Sequence, residues 1–330
     1  MMGSYQALAQ KAPKAKGSKP PSLQLPVDCK LGSSCWVFNY VDLNPKKRSS
    51  RDYACGPMAS DGHRGTDFAL RDEAAIKSGV TVRAAAAGTV SFVRDGMADA
   101  DFRKVDPKTI AKRACGNMVQ LNHDGDWKTR YCHLRNGSVP VKKGQKIAAG
   151  AKIGEIGFSG RAAYPQVEFR VFQGNNKFAH PFRGVSGGAK CGMGKKPLWD
   201  AKAQKWFSYD PVLLYSTGFA SRRPFVKSVR GGIAALNKIS KLSLKLFYYV
   251  DIRNLRKGDA IVFKITAPDG KVLKEGKKAV KKSQFLSLQV MDVTSRGSWP
   301  PGTYRGELAL TRKSRAGAKT FRTATDINVQ

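Results

Sequence analysis

Two histidines and two carboxylates in short motifs are the residues of this chain best suited to chemistry. His63 and Asp67 stand four apart in Asp61-Gly62-His63-Arg64-Gly65-Thr66-Asp67, a glycine-containing loop that leads into a β run. An imidazole and a carboxylate are ordinary zinc ligands, and bound zinc can activate water for hydrolysis. His133 follows in Tyr131-Cys132-His133-Leu134, where strand alternation predicts Tyr131 and His133 on one face. A third segment reads Pro165-Gln166-Val167-Glu168-Phe169-Arg170. On a strand it places Gln166, Glu168 and Arg170 on one face and Val167, Phe169 and Val171 on the other. Glu168 has two readings at this level, a metal ligand or the partner of Arg170 or a nearby lysine. Gln166 can donate a hydrogen bond but cannot shuttle a proton near neutral pH.

Such residues need a β scaffold, and the surrounding pattern supplies one. Residues 25–184 are mostly short β runs broken by glycine, among them 80–84, 88–93 and 118–121. A charged stretch at 98–113 reads as an insertion able to form helix, and 141–154 repeats strand, glycine turn and strand. Residues 116–123 and 127–134 read as a hairpin around Asp124-Gly125. Residues 185–225 form a connector rich in Gly, Lys and aromatics. From 226 to 330 alternating runs recur at 242–250, 260–265, 285–290 and 302–310. That spacing predicts an immunoglobulin-like β-sandwich used for binding or spacing.

The 330 residues hold 59 Lys and Arg against 24 Asp and Glu, a formal charge of +35 spread along the chain. Such an excess attracts anionic polymers or surfaces: nucleic acid, anionic lipid, or the acidic bacterial wall. No stretch approaches the ~18 apolar residues of a membrane span, and no nucleic-acid motif is present. The six cysteines form no C-x-x-C pair, which favours disulfides over structural zinc. Folding the hairpin places Cys115 opposite Cys132, while the other four can pair in three ways and Cys191 can tie the connector back. Residues 1–24 are rich in Lys, Pro, Ser and Ala and read as a disordered linker. Within it, Ala7-Leu8-Ala9 before Gln10 has the form of a signal-peptidase site without the apolar run that precedes one, so the expectation is export with a truncated signal.

In order along the chain stand His63-x-Gly65-x-Asp67, Gly88-Thr89-Val90, Gly116-Asn117, Tyr131-Cys132-His133-Leu134, and Gly144, Gly150, Gly154 and Gly157. This order resembles the lysostaphin-like (LytM-type) zinc endopeptidases that cut peptide cross-links of peptidoglycan, over roughly residues 26–182. The resemblance implies an all-β chain: a lysostaphin-like duplicated-hybrid-motif domain, then the sandwich. It also implies metal ligands at His63, Asp67 and position 168, and a catalytic pair at His133 and position 166. The family's terminal His-x-His is replaced here by Gln166-Val167-Glu168. Glu168 can still ligate zinc, but two carboxylates would make its bound water less acidic. Losing one acid–base group costs about 10²–10⁴ in rate. The expectation is therefore a periplasmic or secreted peptidoglycan protein, weakened or inactive, acting in wall binding or in regulation of a partner hydrolase. An active zinc endopeptidase with a His-Asp-Glu site is the alternative, and a basic polyanion-binding scaffold is a third.

Overall fold

The structure, a computed structural model, describes residues 19–184, 191–314 and 317–330. The Ala7-Leu8-Ala9 motif and most of the expected linker lie outside the described residues.

The chain is mostly β. Ten strands build the first unit: β1 (Trp36–Asn39), β2 (Thr66–Ala69), β3 (Thr81–Arg83), β4 (Gly88–Arg94), β5 (Asn117–Asn122), β6 (Trp127–Leu134), β7 (Lys146–Ile147), β8 (Lys152–Glu155), β9 (Gln166–Gln173) and β10 (Lys177–Ala179). Eight of them form one sheet in the order β1-β2-β9-β6-β5-β4-β7, with β10 also on β9, while β3 and β8 pair separately. Val82 and Ile153 of the small sheet share a core with Phe68, Trp127, Tyr131, Val167 and Phe169 of the large one. The expected hairpin is β5–β6, and Gly125 supplies the left-handed turn residue at φ 68°. Cys115 and Cys132 are disulfide-bonded across it, and Cys29–Cys35 and Cys55–Cys191 complete three bridges. The 98–113 insertion contains a short helix, α1 (Pro107–Lys112), capped by the Asp106 carboxylate.

Eight strands follow: β11 (Leu213–Ala220), β12 (Lys238–Ile239), β13 (Lys245–Leu255), β14 (Ala260–Thr266), β15 (Val272–Ala279), β16 (Gln284–Thr294), β17 (Gly302–Ser314) and β18 (Gly317–Val329). They form two sheets, β11-β13-β16 and β12-β18-β17-β14-β15, which share one core. Three details differ from the expected layout. Leu23, expected in the linker, is fully buried and its backbone bridges to Trp199. The connector serves both cores: Trp199 packs on Phe169 at 5.5 Å, and β11 pairs with β13. The 242–250 run becomes strand only from Lys245, leaving Leu242 and Leu244 exposed in the preceding turn.

The two units meet through edge strand β1. Arg253 of β13 is fully buried; its Nε donates to the Phe38 carbonyl and its Nη2 to Asn39 Oδ1 at 3.1 Å. The guanidinium lies over the rings of Phe285, at 3.7 Å, and Phe38, at 4.7 Å. Burial pulls its pKa down to about 10, and the Asp67 carboxylate opposes that fall. Tyr215 of β11 packs edge-on against Phe38 and Tyr164, and its hydroxyl donates to Asp251 at 2.6 Å.

Candidate metal centre and cleft

β2 and β9 are antiparallel neighbours with Asp67 opposite Glu168, and Cys132 of β6 flanks Glu168 on the other side. This register brings the three sequence motifs together. Val167, Phe169 and Val171 are buried in the core, while Gln166, Glu168 and Arg170 line a cleft of about 520 Å³. The alternation expected for this strand therefore holds.

For Tyr131 and His133 it does not. Tyr131 points into the core, where its hydroxyl accepts a hydrogen bond from the Ala85 amide at 2.7 Å. His133 takes a left-handed backbone at φ 65°, which turns its side chain into the cleft. Its amide donates to the Cys115 carbonyl at 2.9 Å, so the disulfide-linked neighbour helps fix this turn. Its Nδ1 sits 2.8 Å from the Ser159 carbonyl and must carry the proton of that hydrogen bond. That leaves Nε2 facing Glu168 Oε2 at 3.5 Å.

His63, Asp67 and Glu168 each offer a ligand atom within 4.8 Å of one another. The three are not in the same state. His63 Nε2 and Asp67 Oδ1 are 3.2 Å apart, and neither has a hydrogen-bond partner. With zinc–ligand bonds of about 2.0–2.2 Å, two donors at that separation can share one tetrahedral ion. Glu168 is committed elsewhere. Arg170 grips it with both arms of its guanidinium, Nε to Oε1 at 2.7 Å and Nη2 to Oε2 at 2.6 Å. Binding zinc through Glu168 would compete with this fork for the carboxylate's charge and set a second cation beside the metal. The donor set thus offers zinc two free positions and a third, Glu168, that already carries a guanidinium.

Burial alone would raise the Glu168 carboxyl, but the facing His133 imidazole, the Arg170 fork and the charge of His63 hold it well below the usual carboxylate range. For His63, burial disfavours the charged imidazole, yet Asp67 and then Glu168 raise its pKa. Gly65 lets the loop close over this pair: a Cβ there would stand 2.5 Å from Glu168 Cγ. The remaining lining comes from places the motifs do not mark. Arg64 and Arg161 reach the cleft, stacked over Phe178 and Phe102, without an ion-pair partner among the described residues. Arg64 could have been noticed, since it sits inside the first motif. Tyr164, Phe38 and Phe285 also line the cleft. Phe285 comes from the second unit, and no sequence pattern reports how two units dock.

Residues 61–180 match the family model described as Peptidase family M23. The peptidoglycan DD-endopeptidase ShyA of Vibrio cholerae serotype O1 is 30% identical over 109 residues, covering 33% of this chain and 20% of that protein. ShyB of the same organism, also a peptidoglycan DD-endopeptidase, is 38% identical over 73 residues, covering 21% and 17%. The chain thus spans about a fifth of the length of the curated relatives it matches. The catalytic domain of lysostaphin from Staphylococcus simulans aligns with 44% of this chain and 86% of its own, at 19% identity and a TM-score of 0.28.

Proposed function

Taking as premise that residues 61–180 are a peptidase family M23 domain, we propose that this domain binds peptidoglycan peptides without cutting them. The chain then acts in wall binding or in regulating a partner hydrolase, outside the cytosol. One contact carries the reading: the bidentate grip of Arg170 on Glu168, at the position where the resemblance implies the third zinc ligand. It removes a ligand that a catalytic zinc needs and puts a fixed positive charge in its place. Gln166 removes the proton carrier expected one step along the same face.

The cleft remains suited to peptide. Arg64, Arg161 and Gln166 offer donors to peptide carbonyls and carboxylates, and the cleft is open. The relatives' names supply the wall as the substrate class. Three disulfides favour an oxidising compartment, and no helix of the described residues is long and apolar enough to cross a membrane. The immunoglobulin-like reading of the second unit is supported by its strand order, with three strands opposed to five across one core.

A second reading, an active zinc endopeptidase, draws on His63 Nε2 and Asp67 Oδ1, which face each other at 3.2 Å without a well-formed hydrogen bond. Metal analysis of the protein purified with zinc separates the two. Substoichiometric zinc that Glu168→Ala does not alter is expected. Stoichiometric zinc lost in Glu168→Ala would favour the enzyme.

A further inference from the structure

The far end of the sandwich carries a surface that the cleft does not explain. Six of the ten exposed large apolar residues among the described residues fall between Phe225 and Leu244. Leu242 and Leu244 are 76% and 72% exposed, on a turn immediately before β13. Single exposed leucines are ordinary, but two this exposed on one turn mark a contact surface. The same region is one-sided in charge. Residues 211–250 contain seven Lys and Arg and no Asp or Glu.

Strand pairing places the leucine turn and its neighbouring cations at one end, while the 225–236 segment lies against the first unit, with Gly232 beside Ala74. β11 ends at Ala220 opposite Phe247, so Arg222 and Arg223 emerge where the leucine turn enters β13 at Lys245. Arg223 acts on Asp292, the partner of Lys245 at 2.9 Å, which places it beside the turn. The carbonyls of Lys241, Ser243 and Leu244 accept hydrogen bonds from Trp299 and Ser295, so the turn is braced with its leucines outward. Arg222, Arg223, Lys238 and Lys241 have no ion-pair partner among the described residues.

We propose that this end of the sandwich docks on an anionic lipid surface, with Leu242 and Leu244 entering the headgroup region and the surrounding cations meeting lipid charge. An apolar tip whose surrounding cations outnumber its one carboxylate, Asp292, matches an interface that is both oily and negative. A soluble polyanion offers nothing to the leucines, and aliphatic side chains are no stacking platform for sugars or bases. Geometry gives the contact a use. From Lys245 to Arg253, which packs on Phe285 at the cleft, β13 advances eight residues. At ~3.4 Å per residue the cleft stands about 27 Å from the lipid-facing turn. The sandwich thus acts as a spacer that holds the cleft off the bilayer.

The test is co-sedimentation of the full chain with vesicles of phosphatidylcholine alone and of phosphatidylcholine mixed with phosphatidylglycerol. Wild type should bind only the mixed vesicles. The double variant Leu242→Ser, Leu244→Ser should bind them at least about tenfold more weakly, with an unchanged thermal midpoint because both side chains are exposed. In Leu244→Trp, indole emission should shift to the blue on adding mixed vesicles. No binding to mixed vesicles overturns the proposal. Equal binding by the leucine double variant also overturns it, since it would reduce the contact to charge that any polyanion could satisfy.

Discussion

The two walls of the cleft are in opposite states. On the β2 side, His63 Nε2 and Asp67 Oδ1 are buried without hydrogen-bond partners. On the β9 side, Glu168 has both oxygens taken by one guanidinium, with His133 Nε2 a further 3.5 Å away. The β2 wall keeps the form of a metal site. The β9 wall holds an ion pair that is satisfied without a metal. A buried carboxylate must be compensated, and here an arginine two residues along the same strand face does so. A carboxylate beside a candidate metal site is therefore better judged by what neutralises it than by whether it can ligate.

The comparison breaks most visibly if the β9 wall can be rebuilt. Gln166→His with Glu168→His in an Arg170→Gln background introduces the two imidazoles the resemblance implies and removes the competing cation. Zinc-dependent release of soluble fragments from peptidoglycan should rise at least about 10²-fold over wild type. Adding His133→Ala should abolish the gain. No gain would mean that the cleft has diverged beyond these three positions.

Stability sharpens the contrast. Arg170→Ala strands a buried carboxylate, so urea denaturation should show a loss of about 3–5 kcal/mol. Asp67→Asn removes a carboxylate whose side-chain partner is the His63 imidazole at 3.2 Å, with no guanidinium fork to strand, and it should fall within about 1 kcal/mol of wild type. Equal losses in the two variants would erase the asymmetry.

The smallest effect is in pH. The folded-state pKa of Glu168 is lowered, so its contribution is present above the unfolded glutamate value of about 4.3 and is lost as pH falls below it. The stability gap between wild type and Glu168→Gln should therefore narrow on acidification from neutral pH, as followed by urea midpoints. A gap that widens in acid would reverse the assignment.

Much of this was legible in the sequence. The β5–β6 hairpin, the Cys115–Cys132 bridge and the faces of Gln166, Glu168 and Arg170 follow from period-two alternation and turn chemistry. Alternation misled where the backbone departs from it. At His133 one left-handed residue moves the imidazole off the Tyr131 face. At Leu242 and Leu244 the alternating pattern belongs to an exposed turn. The Arg170 fork was one of two readings for Glu168, and it is visible only in the side-chain geometry. Arg253 and Phe285 were invisible, because their place beside the cleft depends on how two separately patterned units dock.

The most direct test adds the purified full chain, with equimolar zinc, to isolated peptidoglycan and measures both retention on the insoluble wall and release of soluble peptide fragments. Retention that weakens with salt, with no release above the zinc-only control, is the expected result. Fragment release that disappears in Glu168→Ala would contradict it and make the β9 wall part of a working zinc site.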